Sequence, residues 1–184
     1  MKKLSTKKIE TDRLILRQVA IEDLDDLFNN WASDVNTTKF LTFKNHDSKE
    51  ETMKFINSWI NKYEHGGLEW AVELKENHQV VGMISADKTY KYKCVEIGYS
   101  LSSKYWNQGL ITEALNEVIK YLLDECEFNI VEAIIPSNNI GSIKVAKKCG
   151  LTLEATLKNR YKDKENNIQD LLIYSMFKEG ENNE

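Results

Sequence analysis

The sequence predicts an α/β domain built on a mixed, mostly antiparallel sheet of about seven strands flanked by four helices. Three observations carry that expectation. Segments of strand and helix character follow one another in the order β-α-α-β-β-β-α-β-α-β-β. Two of the three consecutive strands, Leu68–Leu74 and Val80–Lys88, flank the polar turn 75–79, the pattern of an antiparallel hairpin. Finally, the apolar positions 111, 114, 115, 118, 119 and 122 match the 3.6-residue period of a helix directly after a glycine-containing turn.

The first strand spans Thr11–Val19, where apolar residues alternate with arginines. A helix follows, with Ile21, Leu24, Leu27, Phe28 and Trp31 on one face and acidic residues early, where the helix N-terminus favours them. Ser48 and Glu51 stand at capping-box spacing and open a second helix. Its stripe is Thr52, Phe55, Ile56, Trp59, Ile60 and Tyr63, and Gly66 and Gly67 stop it. After the hairpin, Cys94–Leu101 forms a central strand interrupted by Gly98. The turn through Gly109 then feeds the strongly periodic helix. Strand Ile130–Ile135 ends at Pro136, and a short helix from Ile140 to Cys149 carries Lys147 and Lys148 in its last turn with Gly150 beyond. Strands near Leu151–Tyr161 and Asp170–Phe177, joined by a polar loop, complete the domain. Residues 1–178 are expected to form one domain, with 179–184 a polar, frayed tail.

The chain has 184 residues, enough to bury a sizeable core, and its 41% apolar and 29% charged content is ordinary for a globular protein. The net charge of −4 disfavours a general nucleic-acid binder. No apolar run approaches the roughly 18 residues of a membrane span, and no apolar segment follows Lys2 and Lys3 as in a secretory signal. Cys94, Cys126 and Cys149 are an odd number without close pairing, which fits reduced core thiols in a cytoplasmic protein. His46, His65 and His78 fall in turns and loops without metal-ligand spacing, so no metal is expected. Trp31 and Trp59 lie on apolar helix faces, as core residues or as walls of an acceptor pocket.

A strand that breaks into a helix at a glycine leaves several backbone N–H groups unpaired. With the helix dipole they suit an anion, typically a phosphate. Here the donors are Asn107, Gln108, Gly109, Leu110, Ile111 and Thr112. Each amide bonding a charged oxygen contributes about 1.5–3 kcal/mol. One glycine before an amphipathic helix marks a plain turn more often than a ligand site. The Walker pattern and the dinucleotide fingerprint are both absent.

The neighbouring pattern decides between these. Tyr105–Ala114 (YWNQGLITEA) resembles the acyl-CoA loop of the GNAT superfamily of N-acetyltransferases, and most closely the branch that contains the ribosomal-protein-alanine and -serine N-acetyltransferases. Thr11–Arg17 (TDRLILR) resembles that branch's opening strand and Val95–Tyr99 (VEIGY) its central strand. Asn139–Ser142 (NIGS), followed by Lys148–Leu151 (KCGL), resembles its second cofactor motif. The match runs in order from about residue 9 to 177. The resemblance implies acetyl-CoA as co-substrate and a sheet in which the central strand and the strand after the loop splay apart around the pantetheine arm. Backbone groups of Ser100, Leu101 and Ser102 would bond that arm, the loop 107–112 would hold the diphosphate, and Asn139 and Ser142 would sit near the thioester. Two positions depart from the pattern. Ile111 stands where alanine or glycine is usual, and Ala146 where many members carry a tyrosine acid.

Amine acetylation needs a neutral amine, an oxyanion stabiliser and a proton for the departing thiolate. With the tyrosine missing, the branch resemblance points to Ser142 as the acid; a helix-start serine bonding its own backbone is the alternative. Glu96, two residues before Gly98, is the candidate base, against a solvated strand glutamate. Reference pKa values are about 7.7–8.0 for an α-amine and about 10.4 for lysine, so neutralisation at pH 7 costs about 1 and about 4.6 kcal/mol respectively. A site without a strong base suits the α-amine. The expected activity is therefore direct acetyl transfer to a primary amine, with a protein N-terminus, polyamines, amino acids and antibiotics as acceptor classes, by a monomer or homodimer. A non-catalytic acyl-CoA-binding module and a plain interaction domain are the rival readings.

Overall fold

In the computed structural model, residues 4–89 and 93–178 are described. The tail expected at 179–184 lies outside them. The strands are β1 (Ile9–Glu10), β2 (Leu14–Arg17), β3 (Glu69–Leu74), β4 (Val80–Lys88), β5 (Cys94–Leu101), β6 (Ile130–Pro136), β7 (Thr152–Lys162) and β8 (Ile168–Phe177). The helices are α1 (Leu24–Leu27), α2 (Val35–Thr38), α3 (Lys49–Glu64), α4 (Leu110–Asp124) and α5 (Ile140–Lys148). The eight strands order as β1-β2-β3-β4-β5-β6-β8-β7. The β5–β6 pair is parallel, whereas β1–β2, β2–β3, β3–β4, β6–β8 and β7–β8 are antiparallel.

Of the expected first strand, Thr11–Val19, only Leu14–Arg17 is strand (β2), and β1 precedes it as an unexpected short partner. Thr11 closes a turn between β1 and β2, its N–H donating to Leu14 O and its hydroxyl accepting from Leu14 N, both at 3.0 Å. The helix expected around 21–31 is a relay: a 3₁₀ turn at Ile21–Asp23, then α1, then a π-turn at Phe28–Ala32. The π-turn closes where Ser33 donates to Phe28 O through both its N–H (3.1 Å) and its hydroxyl (2.7 Å). Helix α2 is additional to the four expected; Asp34 caps it by accepting from Asn36 N at 2.9 Å. Helix α3 begins as its sequence predicts, with Ser48 Oγ accepting from Glu51 N and Glu51 reaching back to Asp47 N. It ends at Gly66, whose φ is +79°, and Gly67 N bonds Lys62 O at 2.8 Å.

Contacts group the chain into two compact units. One takes in residues up to Ala86 together with Tyr99–Ala114, and the other Asp87–Gly98 and residues from Leu115 onward. In the first, Leu27, Trp31, Ile56, Trp59, Ala71 and Met83 form a core that Phe43, Phe55 and Tyr63 flank. Trp31 lies 5.4 Å from Phe43 and 5.3 Å from Phe55, between ring centroids, and both tryptophans are core residues. In the second, β8 lies between β6 and β7, so the last hairpin turns back and leaves β7 on the edge. The buried side chains there include Val95, Leu115, Ile119, Val131, Ala146 and Tyr174. Helix α5 ends on Gly150 at φ +85°, where an added Cβ would meet Met176 Cε at 3.0 Å.

Candidate active site

In the first unit, the segment leaving β5 is anchored before it turns. Ser102 N donates to Val81 O at 2.7 Å. Ser103 N donates to Thr37 Oγ1 at 2.9 Å and Asp34 Oδ2 at 3.2 Å. Burial raises the Asp34 carboxyl, but bonds from Ser103, Thr37 and Asn36 outweigh it and hold the pKa below the ordinary carboxylate range. Trp106 Nε1 reaches back to Leu101 O at 2.7 Å. The chain then takes left-handed conformations at Asn107 (φ +61°) and Gly109 (φ +77°), and α4 opens with Glu113 N bonding Gly109 O at 3.0 Å. Asparagine and glycine are the residues that accept such backbone angles at least cost. Among the described residues, the amides of Asn107, Gln108, Gly109, Leu110 and Ile111 donate no hydrogen bond. Asn107, Gln108 and Gly109 are exposed, while Ile111 is half-buried.

From sequence alone the arginines of the opening strand have no assigned place beside this loop; the fold gives Arg13 one. Arg13 Nη1 donates to Gln108 O at 3.0 Å, and Nε and Nη2 each reach Glu113 Oε2 at 2.7 Å. Glu113 Oε1 accepts from Arg13 N at 2.9 Å and from the Thr11 hydroxyl. Burial would raise the Glu113 pKa, but Thr11 and Arg13 more than offset it and leave it below its ordinary value. A cleft of about 370 Å³ lies alongside, lined by Asp12, Arg13, Leu74, Lys75, Tyr105 and Gln108 among others. The only sequence signal for Arg13 was its place in the opening-strand motif, because its partners lie some hundred positions downstream.

Ser100, also in this unit, accepts a hydrogen bond from Trp31 Nε1 through its hydroxyl. Ser102 Oγ is buried and has no hydrogen-bond partner among the described residues. The residues 100–102 and 107–112 thus belong to one unit, on the two sides of a single tight turn.

The candidate catalytic residues Glu96, Asn139 and Ser142 belong to the second unit. Glu96 stands in register with Glu132, and the β5–β6 ladder ends at that pair although β6 continues alongside β8 to Pro136. Asn139 caps α5: its Oδ1 accepts from Ser142 N at 3.2 Å, and its N–H donates to Pro136 O at 2.9 Å. Its amide oxygen is therefore engaged with the helix end. Ala146 is fully buried. Burial pushes the Cys149 thiol up to about 11, so it is protonated at neutral pH and no ready nucleophile. Among the described residues, no group of three or more His, Cys, Asp and Glu is placed to hold a metal, and no helix is long and apolar enough to cross a membrane.

Comparison with known proteins identifies the architecture. The family described as Acetyltransferase (GNAT) domain matches residues 13–152, most of the chain. The protein belongs to the GNAT acetyltransferase family. GNAT members are acetyl-CoA-dependent N-acetyltransferases, and this one is an enzyme of that kind. The uncharacterized N-acetyltransferase YoaA of Bacillus subtilis is 27% identical over 172 residues, covering 92% of this chain and 96% of its own. The ribosomal-protein-S5-alanine acetyltransferase of Vibrio fischeri superposes with a TM-score of 0.82 at 18% identity, over 95% of this chain and 98% of that one. The microcin C7 self-immunity acetyltransferase MccE, solved with acetyl-CoA and AMP, superposes with a TM-score of 0.80 at 21% identity, over 95% and 98% of the two chains. At those identities the two structures share the GNAT fold, as the resemblance implied, with β1 and α2 added to the elements expected from sequence.

Proposed function

We propose that the protein transfers the acetyl group of acetyl-CoA to a primary amine by direct attack, with the loop 107–112 holding the diphosphate. The observation that carries this is the start of α4, where successive amides without protein acceptors sit at a helix N-terminus beside the Arg13 guanidinium. Ser100, Leu101 and Ser102 are assigned to the pantetheine arm through backbone groups other than Ser102 N and Leu101 O, which are engaged with Val81 O and the Trp106 indole. In the reaction the amine nitrogen attacks the thioester carbonyl, and the collapsing tetrahedral intermediate expels the CoA thiolate. Glu96 is assigned to take the ammonium proton, directly or through water, and Ser142 to deliver a proton to the thiolate sulfur. Asn139 supports Ser142 by capping its helix.

The acceptor assigned is an α-amine, at the N-terminus of a protein. Its lower pKa favours it where no strong base is present, and the Vibrio fischeri neighbour is named for an alanine of a ribosomal protein. A cytoplasmic location agrees with these readings. The test is thiol release from acetyl-CoA across a panel of N-terminal peptides, lysine analogues, polyamines and amino acids. Peptides with a free α-amine are expected to turn over fastest; release only with polyamines or only with free amino acids would overturn the acceptor assignment.

A further inference from the structure

We infer that Arg13 and Glu113 are positioning residues that set the direction of the loop's amides for an anionic ligand. The inference rests on the reading of 107–112 as the diphosphate loop. The loop carries two left-handed residues, Asn107 and Gly109, on either side of Gln108. Such a segment has few favourable contacts of its own and needs an external hold. Arg13 Nη1 provides it at the Gln108 carbonyl, at 3.0 Å. In a planar trans peptide the carbonyl and the following N–H point in opposite directions, and no described peptide bond is cis. Holding Gln108 O toward Arg13 therefore turns the Gly109 N–H away from the guanidinium, to the other side of the loop.

Glu113 explains how the guanidinium stays in place. A carboxylate in the first turn of α4 would by itself occupy the helix N-terminus and repel a diphosphate. Here both its oxygens are drawn to the start of β2, one by Thr11 Oγ1 and Arg13 N, the other by Arg13 Nε and Nη2. The two-pronged contact fixes the plane of the guanidinium, which a lysine ammonium does not reproduce. An added Cβ at Gly109 would lie 3.7 Å from Arg13 Nη2, so the arginine borders the loop without crowding it.

Calorimetric titration with CoA tests this on Arg13→Lys and Glu113→Gln, with pantetheine, which lacks the diphosphate, as the competing control. Arg13→Lys keeps the charge and loses the fork; CoA affinity is expected to fall about tenfold, the scale of one charge-assisted contact. Glu113→Gln removes a negative charge beside an anion site, so simple electrostatics predicts tighter binding, whereas positioning predicts a loss of about threefold or more. Pantetheine affinity should stay within about twofold in both, which a general structural lesion would not allow. CoA affinities unchanged in both variants, or strengthened in Glu113→Gln, overturn the positioning role. Should Glu113→Gln not fold, Arg13→Lys decides alone. A wild-type chain that binds no CoA overturns the loop reading itself, and the inference falls with it.

Discussion

The indole Nε1 of Trp31 donates to the hydroxyl of Ser100 at 2.7 Å, joining the π-turn after α1 to the end of β5 across 69 residues of sequence. Trp31 is only 2% exposed, so water offers its N–H little alternative. Ser100 stands in the proposed pantetheine segment, yet its side chain is engaged with the core. Only its backbone is left for a ligand.

Ser100→Ala should therefore lower stability while sparing CoA binding. An unsatisfied buried donor costs about 1–3 kcal/mol. Urea unfolding reads the first effect and calorimetry with CoA the second. The double variant with Trp31→Phe should lose less than the sum of the single variants, by about 0.5 kcal/mol or more; strict additivity would show that the bond contributes nothing.

At Gly109 the strain is confined to the backbone, because the nearest atom to an added Cβ is Arg13 Nη2 at 3.7 Å, an ordinary contact. Gly109→Ala should cost about 1–2 kcal/mol of stability through its left-handed φ. Gly109→Pro, whose ring requires φ near −65°, must rebuild the turn and should weaken CoA binding much further. Unchanged CoA affinity in a folded proline variant would count against the loop.

Asn139 and Ser142 separate a structural from a chemical role at one helix end. Asn139→Ala removes the α5 cap and should cost about 1 kcal/mol of stability. Ser142→Ala leaves that cap in place, since the residue contributes its backbone N–H. Its effect should appear in kcat, beyond whatever change the unfolding midpoint shows. Full activity in Ser142→Ala would remove it as the acid.

Arg17 bridges Asp23 and Glu73: Nη2 lies 2.7 Å from Asp23 Oδ1, and Nε bonds Glu73 Oε2. Burial raises the Glu73 pKa, but His78 and Arg17 outweigh it and hold the pKa below its ordinary value. A carboxyl so depressed stabilises the fold above its unfolded pKa of about 4.3, and that stability is lost as pH falls through the lower folded value. Urea midpoints measured from pH 7 to pH 3 should fall steeply below about pH 4.3 and more gently in Glu73→Gln. Equal slopes would exclude this group from the acid limb.

The elements legible from sequence were those whose causes are local. Ser48 and Glu51 announced the start of α3, Gly150 the end of α5, and the spacing of Ile111, Leu115 and Leu122 the course of α4. The relay of 3₁₀, α and π turns through 21–32 was not legible, because its closure depends on Ser33 doubling onto the Phe28 carbonyl. Asp34 caps α2, a helix not expected from sequence, and only the folded chain shows its carboxylate also accepting from Ser103 N.

By itself the sequence determined the courses of α3, α4 and α5 and the approximate places of seven strands, and that a glycine turn opens a helix N-terminus in a family-like context. These features arise from periodicity, capping and φ preferences acting within a few residues. The tertiary structure alone decided that Arg13 holds Gln108 across 95 residues, that β8 inserts between β6 and β7, and that Trp31 claims the Ser100 hydroxyl. Such pairings depend on which strands meet once the chain closes on itself, and no local propensity encodes that choice.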